Sequence, residues 1–308
     1  MCTAIHLEKE GVFGRTLDFE RGFGESLIIT PREHMKIGEA KNRYAIIGTG
    51  VEREGSALYF DGMNEWGLCG AALNFEGYAF YHGIDGKKTG LPSALLLSFM
   101  LGFCKEINEI KDTMKKLGIT ADSVFGFPAT PLHWIFADRM GTIVIESTRD
   151  SVRVFDNPFG VLTNAPELDY HLTKASDYMS LHPGDLENKL SKAPLPKYSR
   201  GMGAIGLPGD FSSSSRFVRA LFLRQNTLSY GNSIHKMMHM LNNLSVPLGC
   251  VLTEIGAPVS TRYKCAMDME SLTYYYTTYD DLELKSLVLH PEDKDLVHLA
   301  LYTEKGLS

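Results

Sequence analysis

Cysteine is scarce in this 308-residue chain, and its placement follows no pairing pattern. There are five, Cys2, Cys69, Cys104, Cys250 and Cys265, an odd number with no two at CxxC spacing. Neither a disulfide framework nor a zinc site is expected from that pattern. The last four lie in apolar stretches and are expected to be small core residues. Ten histidines occur without HExxH or other ligand spacing, so metal catalysis has no support and no cofactor is expected. Long hydrophobic runs are missing too. The longest candidate, Leu91 to Cys104, carries Ser93, Ser98 and Gly102 and falls short of the roughly 20 residues that a membrane span needs. No charged stretch followed by an apolar one opens the chain, so a secretory leader is not expected and the cytoplasm is the expected compartment. Basic runs are equally absent at a net charge of −6, which argues against nucleic acid as a partner. An anionic ligand would have to be held by local arginines against the global field. There is no internal repeat, low-complexity segment or clear linker. Length, 44% apolar and 22% charged residues fit a soluble globular protein of one large domain or two small ones.

What is present starts at the second residue. Cys2 follows Met1 directly, and aminopeptidases remove an initiator Met readily when the next side chain is small. The product would carry a thiol and a free α-amine on one residue. With reference pKa values of about 7.7–8.0 for the amine and about 8.5 for the thiol, the amine can take the thiol proton near neutral pH. This is nucleophile activation by an N-terminal amine.

Strands and turns fill the first 75 residues. Thr3–Leu7 and Val12–Leu17 flank a turn at Lys9-Glu10-Gly11, and Leu27–Thr30, Tyr44–Thr49, Ala57–Phe60 and Leu68–Leu73 follow. Asp61 to Gly67 looks like a turn-rich connector. Helices are predicted over Pro92–Cys104 and Glu106–Leu117, the latter with Ile107, Ile110, Met114 and Leu117 on one face and a stop at Gly118. Strand character returns at Leu132–Ala137, Thr142–Glu146 and Val152–Phe155. Residues 166 to 209 are polar, contain five prolines and show weak periodicity, marking a functional segment or an assembly arm. Two more helices, about Ser213–Gln225 and Ser233–Leu244, precede strands at Arg262–Met267, Leu272–Thr278 and Leu282–Leu289. Runs of strands separated from runs of helices suggest an α+β protein with antiparallel sheets and helices packed outside.

Four segments place polar groups among apolar flanks. In Phe13-Gly14-Arg15-Thr16-Leu17-Asp18, a hairpin would bring Arg15 and Asp18 beside the N-terminus. There the carboxylate could orient the α-ammonium and the guanidinium favour a thiolate; otherwise the two form a surface ion pair. Asn74 and Asn164 each end an apolar strand, and their amides are either oxyanion donors or ordinary turn residues. In Gly206 to Phe217, Asp or Ser caps a helix. Arg216 then lies in its first turn, where the helix dipole disfavours a cation. It serves the site or packs its stem on Phe217 and reaches solvent.

Taken in order, Met1-Cys2-Thr3, Phe13-Gly14-Arg15-x-x-Asp18, Leu162-Thr163-Asn164-Ala165-Pro166 and Gly206-Leu207-Pro208-Gly209-Asp210-Phe211-Ser212-x-x-Ser215-Arg216-Phe217 resemble the choloylglycine hydrolase family of bile salt hydrolases and penicillin V acylases. Asp61-Gly62-Met63-Asn64-Glu65-x-Gly67 and Leu132-His133-Trp134 look like that family too. The resemblance spans roughly residues 2 to 280. It implies a single N-terminal nucleophile hydrolase domain over 2–308, an α+β four-layer αββα sandwich of two antiparallel sheets. It also implies hydrolysis of a non-peptide C–N amide bond. Carried onto this sequence, Cys2 is the nucleophile, Arg15 and Asp18 flank it, Asn164 and Asn74 donate to the oxyanion, and Arg216 supports the site. The segment from about 166 to 209 is similar to the family's arm, which clasps neighbours in homotetramers. By position, Leu17, Phe19, Tyr59, Phe125, Phe127 and Ala129 are the candidates for lining a substrate pocket. Thr16 departs from the Asn common in relatives, and Trp66 from a charged residue. The strand-end Asn74 favours a glycine- or taurine-conjugated bile acid as substrate over penicillin V. A non-catalytic binding relative is disfavoured because all six site positions are present.

Overall fold

Two antiparallel sheets stack face to face in the computed structural model, which describes residues 1–302 other than 85, 87 and 229. The first sheet runs Val161–Leu162, Cys2–Leu7, Val12–Phe19, Pro258–Asp268, Thr273–Thr278 and Lys285–Val288, with Val251–Leu252 paired onto Pro258–Asp268. The second runs Val152–Asp156, Gly141–Ser147, Leu132–Asp138, Cys69–Asn74, Ser56–Asn64, Ile46–Arg53, Ser26–Thr30 and Val297–Ala300.

Strand alternation decides what meets what. In Val12–Phe19, Arg15 projects into the space between the sheets and reaches Asp61 on the opposite one. Gly14 points the other way, onto helix Ser233–Leu244. A Cβ there would come within 2.7 Å of the Met237 side chain, so the absence of a side chain permits the helix to lie this close. That helix is capped by Asn232, whose carboxamide oxygen accepts from the Ile234 and His235 N–H groups. It buries Ile234, Met237, Leu241 and Leu244. Helix Ser213–Asn226 covers the same sheet, and Leu96–Phe103 with Ile107–Met114 covers the other. The result is four layers, helix, sheet, sheet, helix, as the resemblance implies.

Several sequence expectations need correction. The supposed connector Asp61–Gly67 is mostly strand: Ser56–Asn64 runs through it, because Asp61 and Asn64 both find full sets of partners indoors. The predicted helix to Leu117 ends at Met114, and Leu117–Thr120 instead pairs in parallel with Thr89–Pro92. Cys250 is exposed rather than in the core. Residues 166 to 209 contain a helix, Leu168–Ala175, that the weak periodicity did not reveal. Strand Val297–Ala300, at the edge of the second sheet, also went unpredicted. Among the described residues, no helix is long and apolar enough to cross a membrane.

Candidate active site

The site grows from the first residues of a strand that is paired on both sides. Cys2–Leu7 bonds to Val12–Phe19 with Cys2 opposite Leu17, and to Val161–Leu162 on its other edge. Met1 extends the hairpin by one step, since the Asp18 N–H donates to its carbonyl at 2.9 Å and its ammonium donates to the Asp18 carbonyl. Backbone pairing therefore aims Cys2 before any side chain contributes. The thiol is 1% exposed and points into the space between the sheets.

Arg15 lies one turn of the pleat away on the same face. Its Nη2 donates to Cys2 Sγ at 2.9 Å, and its Nη1 donates to the Phe60 carbonyl at 3.0 Å and to Asp61 at 3.3 Å. The Phe60 carbonyl is available because the ladder shifts register between Thr49 and Gly50, leaving Phe60 as the unpaired residue of a bulge. Burial works against the charge on Arg15. The surrounding Cys2, Tyr263 and Asp61 outweigh it, and the pKa is raised above its usual value. Asp61 is fully buried and accepts from Tyr263 OH, from Tyr274 OH at 2.6 Å and from Cys265 Sγ at 3.5 Å, all reaching across from the first sheet. Burial, with Asp61 adding to it, pushes both tyrosines well up, so they remain donors.

On the other face, Arg216 is buried without exposure and does not reach solvent. Ser212 caps its helix, and the guanidinium folds back to donate to the Cys2 carbonyl, to Thr3 Oγ1 at 2.6 Å and to Asn164 Oδ1 at 2.7 Å. Burial lowers its pKa, with Asp18 and Cys2 opposing; an arginine nevertheless stays charged. Asn164 is tied on every side. Its Oδ1 also accepts from the Cys2 N–H at 2.7 Å, its Nδ2 donates to the Asn74 carbonyl at 2.8 Å, and its backbone is latched by Ser213 and His171. One Nδ2 hydrogen is left over.

The structure thus brings Cys2, Arg15, Asn164 and Arg216 into direct contact. Asp18 stands slightly apart: its carboxylate accepts from Thr261 at 2.6 Å and Thr16 at 3.1 Å, and the Cys2 N–H is aimed at Asn164 instead. Asn74 faces the thiol's cleft, with its Nδ2 turned toward Glu76 at 3.4 Å. Thr3, Asp61, Ser213, Thr261 and Tyr263 were not singled out from the sequence. Thr3 and Asp61 lie in motifs that carried the resemblance, and Ser213 falls on an unspecified position of another.

Two openings meet at this cluster. The first is an apolar cleft with about 730 Å³ of space, its open mouth included, and Cys2 in its wall. Leu17, Phe19, Tyr59 and Phe127 line it as expected by position, joined by Phe23, Phe60, Ala72 and Leu132. Phe19, Phe23 and Phe60 stack edge to face, with centroids 5.0 and 5.5 Å apart. Phe125 and Ala129 are not part of this wall. Phe125 takes a positive φ of 49° in a tight turn closed by the Val124–Phe127 bridge and packs against the second core cluster. The second opening is bounded by Met1, Asn74, Glu76, Asn164, Ala165, Ser213 and Arg216. Among the described residues no group of three or more His, Cys, Asp or Glu could hold a metal ion.

An αββα sandwich with a cysteine opening a central strand is the architecture of N-terminal nucleophile hydrolases. The family model for linear amide C–N hydrolases of the choloylglycine hydrolase family matches residues 2–302, and the chain belongs to that family. It is 40% identical to a bile salt hydrolase/transferase of Lactiplantibacillus plantarum, over 98% of this chain and 96% of that one. The crystal structure of a mutant conjugated bile acid hydrolase from Clostridium perfringens superposes with a TM-score of 0.89 at 33% identity, covering 97% and 96% of the two chains. Penicillin V acylase from Agrobacterium tumefaciens shares the fold, with a TM-score of 0.76 at 20% identity over 98% and 92%.

Proposed function

We propose that this hydrolase cleaves the amide bond of glycine- or taurine-conjugated bile acids through a thioester on Cys2. The observation that carries the reading is the apolar cleft ending at a thiol held by Arg15. A rigid, largely apolar acyl group fits such a cleft, and its carbonyl carbon can lie against Sγ.

With Met1 removed, the α-amine of Cys2 takes the thiol proton and Arg15 faces the thiolate. Sulfur attacks the carbonyl carbon, and the free Nδ2 hydrogen of Asn164, with the Asn74 amide, donates to the oxyanion. The C–N bond breaks, and the α-ammonium gives its proton to the departing amine. Water, deprotonated by the same amine, then cleaves the thioester. The departing amine must lie near the α-amine that protonates it, and Met1, which is bonded to that nitrogen, borders the second opening. The acyl group therefore takes the apolar cleft and the amine the second opening.

The segment from about 166 to 209 presents Met179, Leu190, Tyr198 and Ile205 to solvent, which supports its use as an arm in self-association to a homotetramer. Light scattering on a sizing column tests this, and a monomer at micromolar concentration would refute it. A cytoplasmic location belongs to the same reading and is open to fractionation. The function itself is tested by amine release from glycocholate, taurocholate and penicillin V in parallel, on protein whose intact mass shows Met1 gone. Glycine or taurine release well above penicillin cleavage is the expected result. Penicillin cleavage alone would move the chain to the acylase branch.

A further inference from the structure

A separate cavity lies on the outer face of the first sheet, between helix Ser233–Leu244 and strands Pro258–Asp268 and Thr273–Thr278. We propose that it binds a straight-chain carboxylic acid, with the carboxylate held between Lys264 and Thr277 and the tail laid over Met238, Leu284 and Leu282. This site takes no part in the chemistry at Cys2.

Strand alternation places the two polar residues. Cys265 points between the sheets, to Asp61, so Lys264 beside it points out toward the helix. Thr277 is its direct partner on the next strand and shares that face. From the helix come His235, Met238, His239 and Asn242, whose spacings of three and four put them on one stripe. The space between measures about 850 Å³, its open mouth included. Lys264 is 8% exposed and Thr277 5%. Among the described residues the ammonium has no carboxylate partner. Its one hydrogen bond goes to Asn242 Oδ1 at 2.6 Å, which leaves two N–H donors. Thr16, on its other side, gives its hydroxyl to Asp18. Lysines on the same helix and the next strand are matched, Lys236 to Glu10 and Lys285 to Asp281. The Thr277 hydroxyl is buried with no partner. A buried cation without counter-charge and a buried hydroxyl without a partner both cost stability, and one carboxylate bridging them removes both costs. Among the described residues no acidic side chain lines the cavity to repel it. Met238 is buried, Leu284 half-buried and Leu282 exposed, so an apolar strip leads from the polar floor to the mouth. A strip of three side chains suits a single alkyl chain better than a fused-ring body.

Octanoate is the probe, titrated into protein carrying methyl-labelled methionine, with the Met238 NMR signal assigned through Met238→Leu. That methyl group reports on this cavity, across the sheet from the Cys2 cleft. It should shift saturably with octanoate and hardly at all with octanol, which lacks the charge. Lys264→Gln should weaken octanoate binding about ten-fold or more, through lost hydrogen bonds from a charged donor. Thr277→Val keeps the side-chain shape and removes a neutral donor, and should weaken it about three-fold. Unchanged affinity in either folded variant, or equal binding of octanol, would overturn the proposal. So would a Met238 signal indifferent to octanoate.

Discussion

Arg15 faces two ways at once: one nitrogen meets the Cys2 sulfur and the other meets Asp61, which is itself gripped by two tyrosines from the opposite sheet. The guanidinium is thus fixed from behind, and Cys2 meets a donor whose position does not depend on substrate. Cys2→Ala should abolish turnover, with a melting temperature within a few degrees of the parent; comparable activity would refute the thioester route. Cys2→Ser should be at least a hundred-fold slower, because an alkoxide forms less readily than a thiolate. Asp61→Asn leaves a buried guanidinium without its counter-charge and should cost about 3–5 kcal/mol of stability in urea unfolding. His6 offers a pH test. Burial, with Arg224 adding to it and Glu10 opposing, pushes its pKa down to about 3. Between that value and the ordinary 6.5 the unfolded chain binds the extra proton, so stability should rise with pH across the window. The slope is on the order of 1.4 kcal/mol per pH unit at most. Urea midpoints at pH 4 and pH 7 measure it, and His6→Gln should flatten the difference.

At the level of elements, the site is held where three of them meet: the end of strand Val161–Leu162, the start of helix Ser213–Asn226 and the helix Leu168–Ala175. Ser213 bonds both the N–H and the carbonyl of Asn164, and His171 donates to that carbonyl at 2.8 Å. Ser213→Ala should therefore lower kcat about ten-fold through a loosened Asn164, with KM nearly unchanged because the apolar cleft is untouched; steady-state kinetics on one conjugate separate the two. Much of this framework was legible in the sequence. Strand Cys2–Leu7 and its partner announce themselves by β-branched and apolar runs about a Gly turn, and helix Ser233–Leu244 by its apolar stripe. Helix Leu168–Ala175 was not legible, because it is half-exposed and buries only Leu168 and His171. The cleft was partly hidden for another reason. The bulge at Phe60 changes which face the ring takes, and no local pattern of residues signals a register shift. Asp61 illustrates the same limit: a turn-forming residue type in a Gly-rich stretch became strand because four donors from the opposite sheet await it.

For the whole molecule, the bonds from Tyr263, Tyr274 and Arg15 to Asp61, and that between His6 and Thr142, join the two sheets through their buried faces. Neither sheet can part from the other without stranding charge or hydroxyls, so unfolding should be one cooperative event. A single calorimetric transition with matching calorimetric and van't Hoff enthalpies is the expected outcome; two resolved transitions would show independent units. The second opening also governs how such a protein can be produced and varied. Met1 already stands in the opening beside Asn74, Glu76 and Asn164, and the nitrogen of Cys2 is a chain bond as long as anything precedes it. Under the proposed mechanism, a purification tag, fusion partner or alternative start codon upstream should silence the enzyme while leaving its fold intact, and a protease that exposes Cys2 should switch it on. On that mechanism, display, immobilisation and fusion designs are to be built from the other end of the chain.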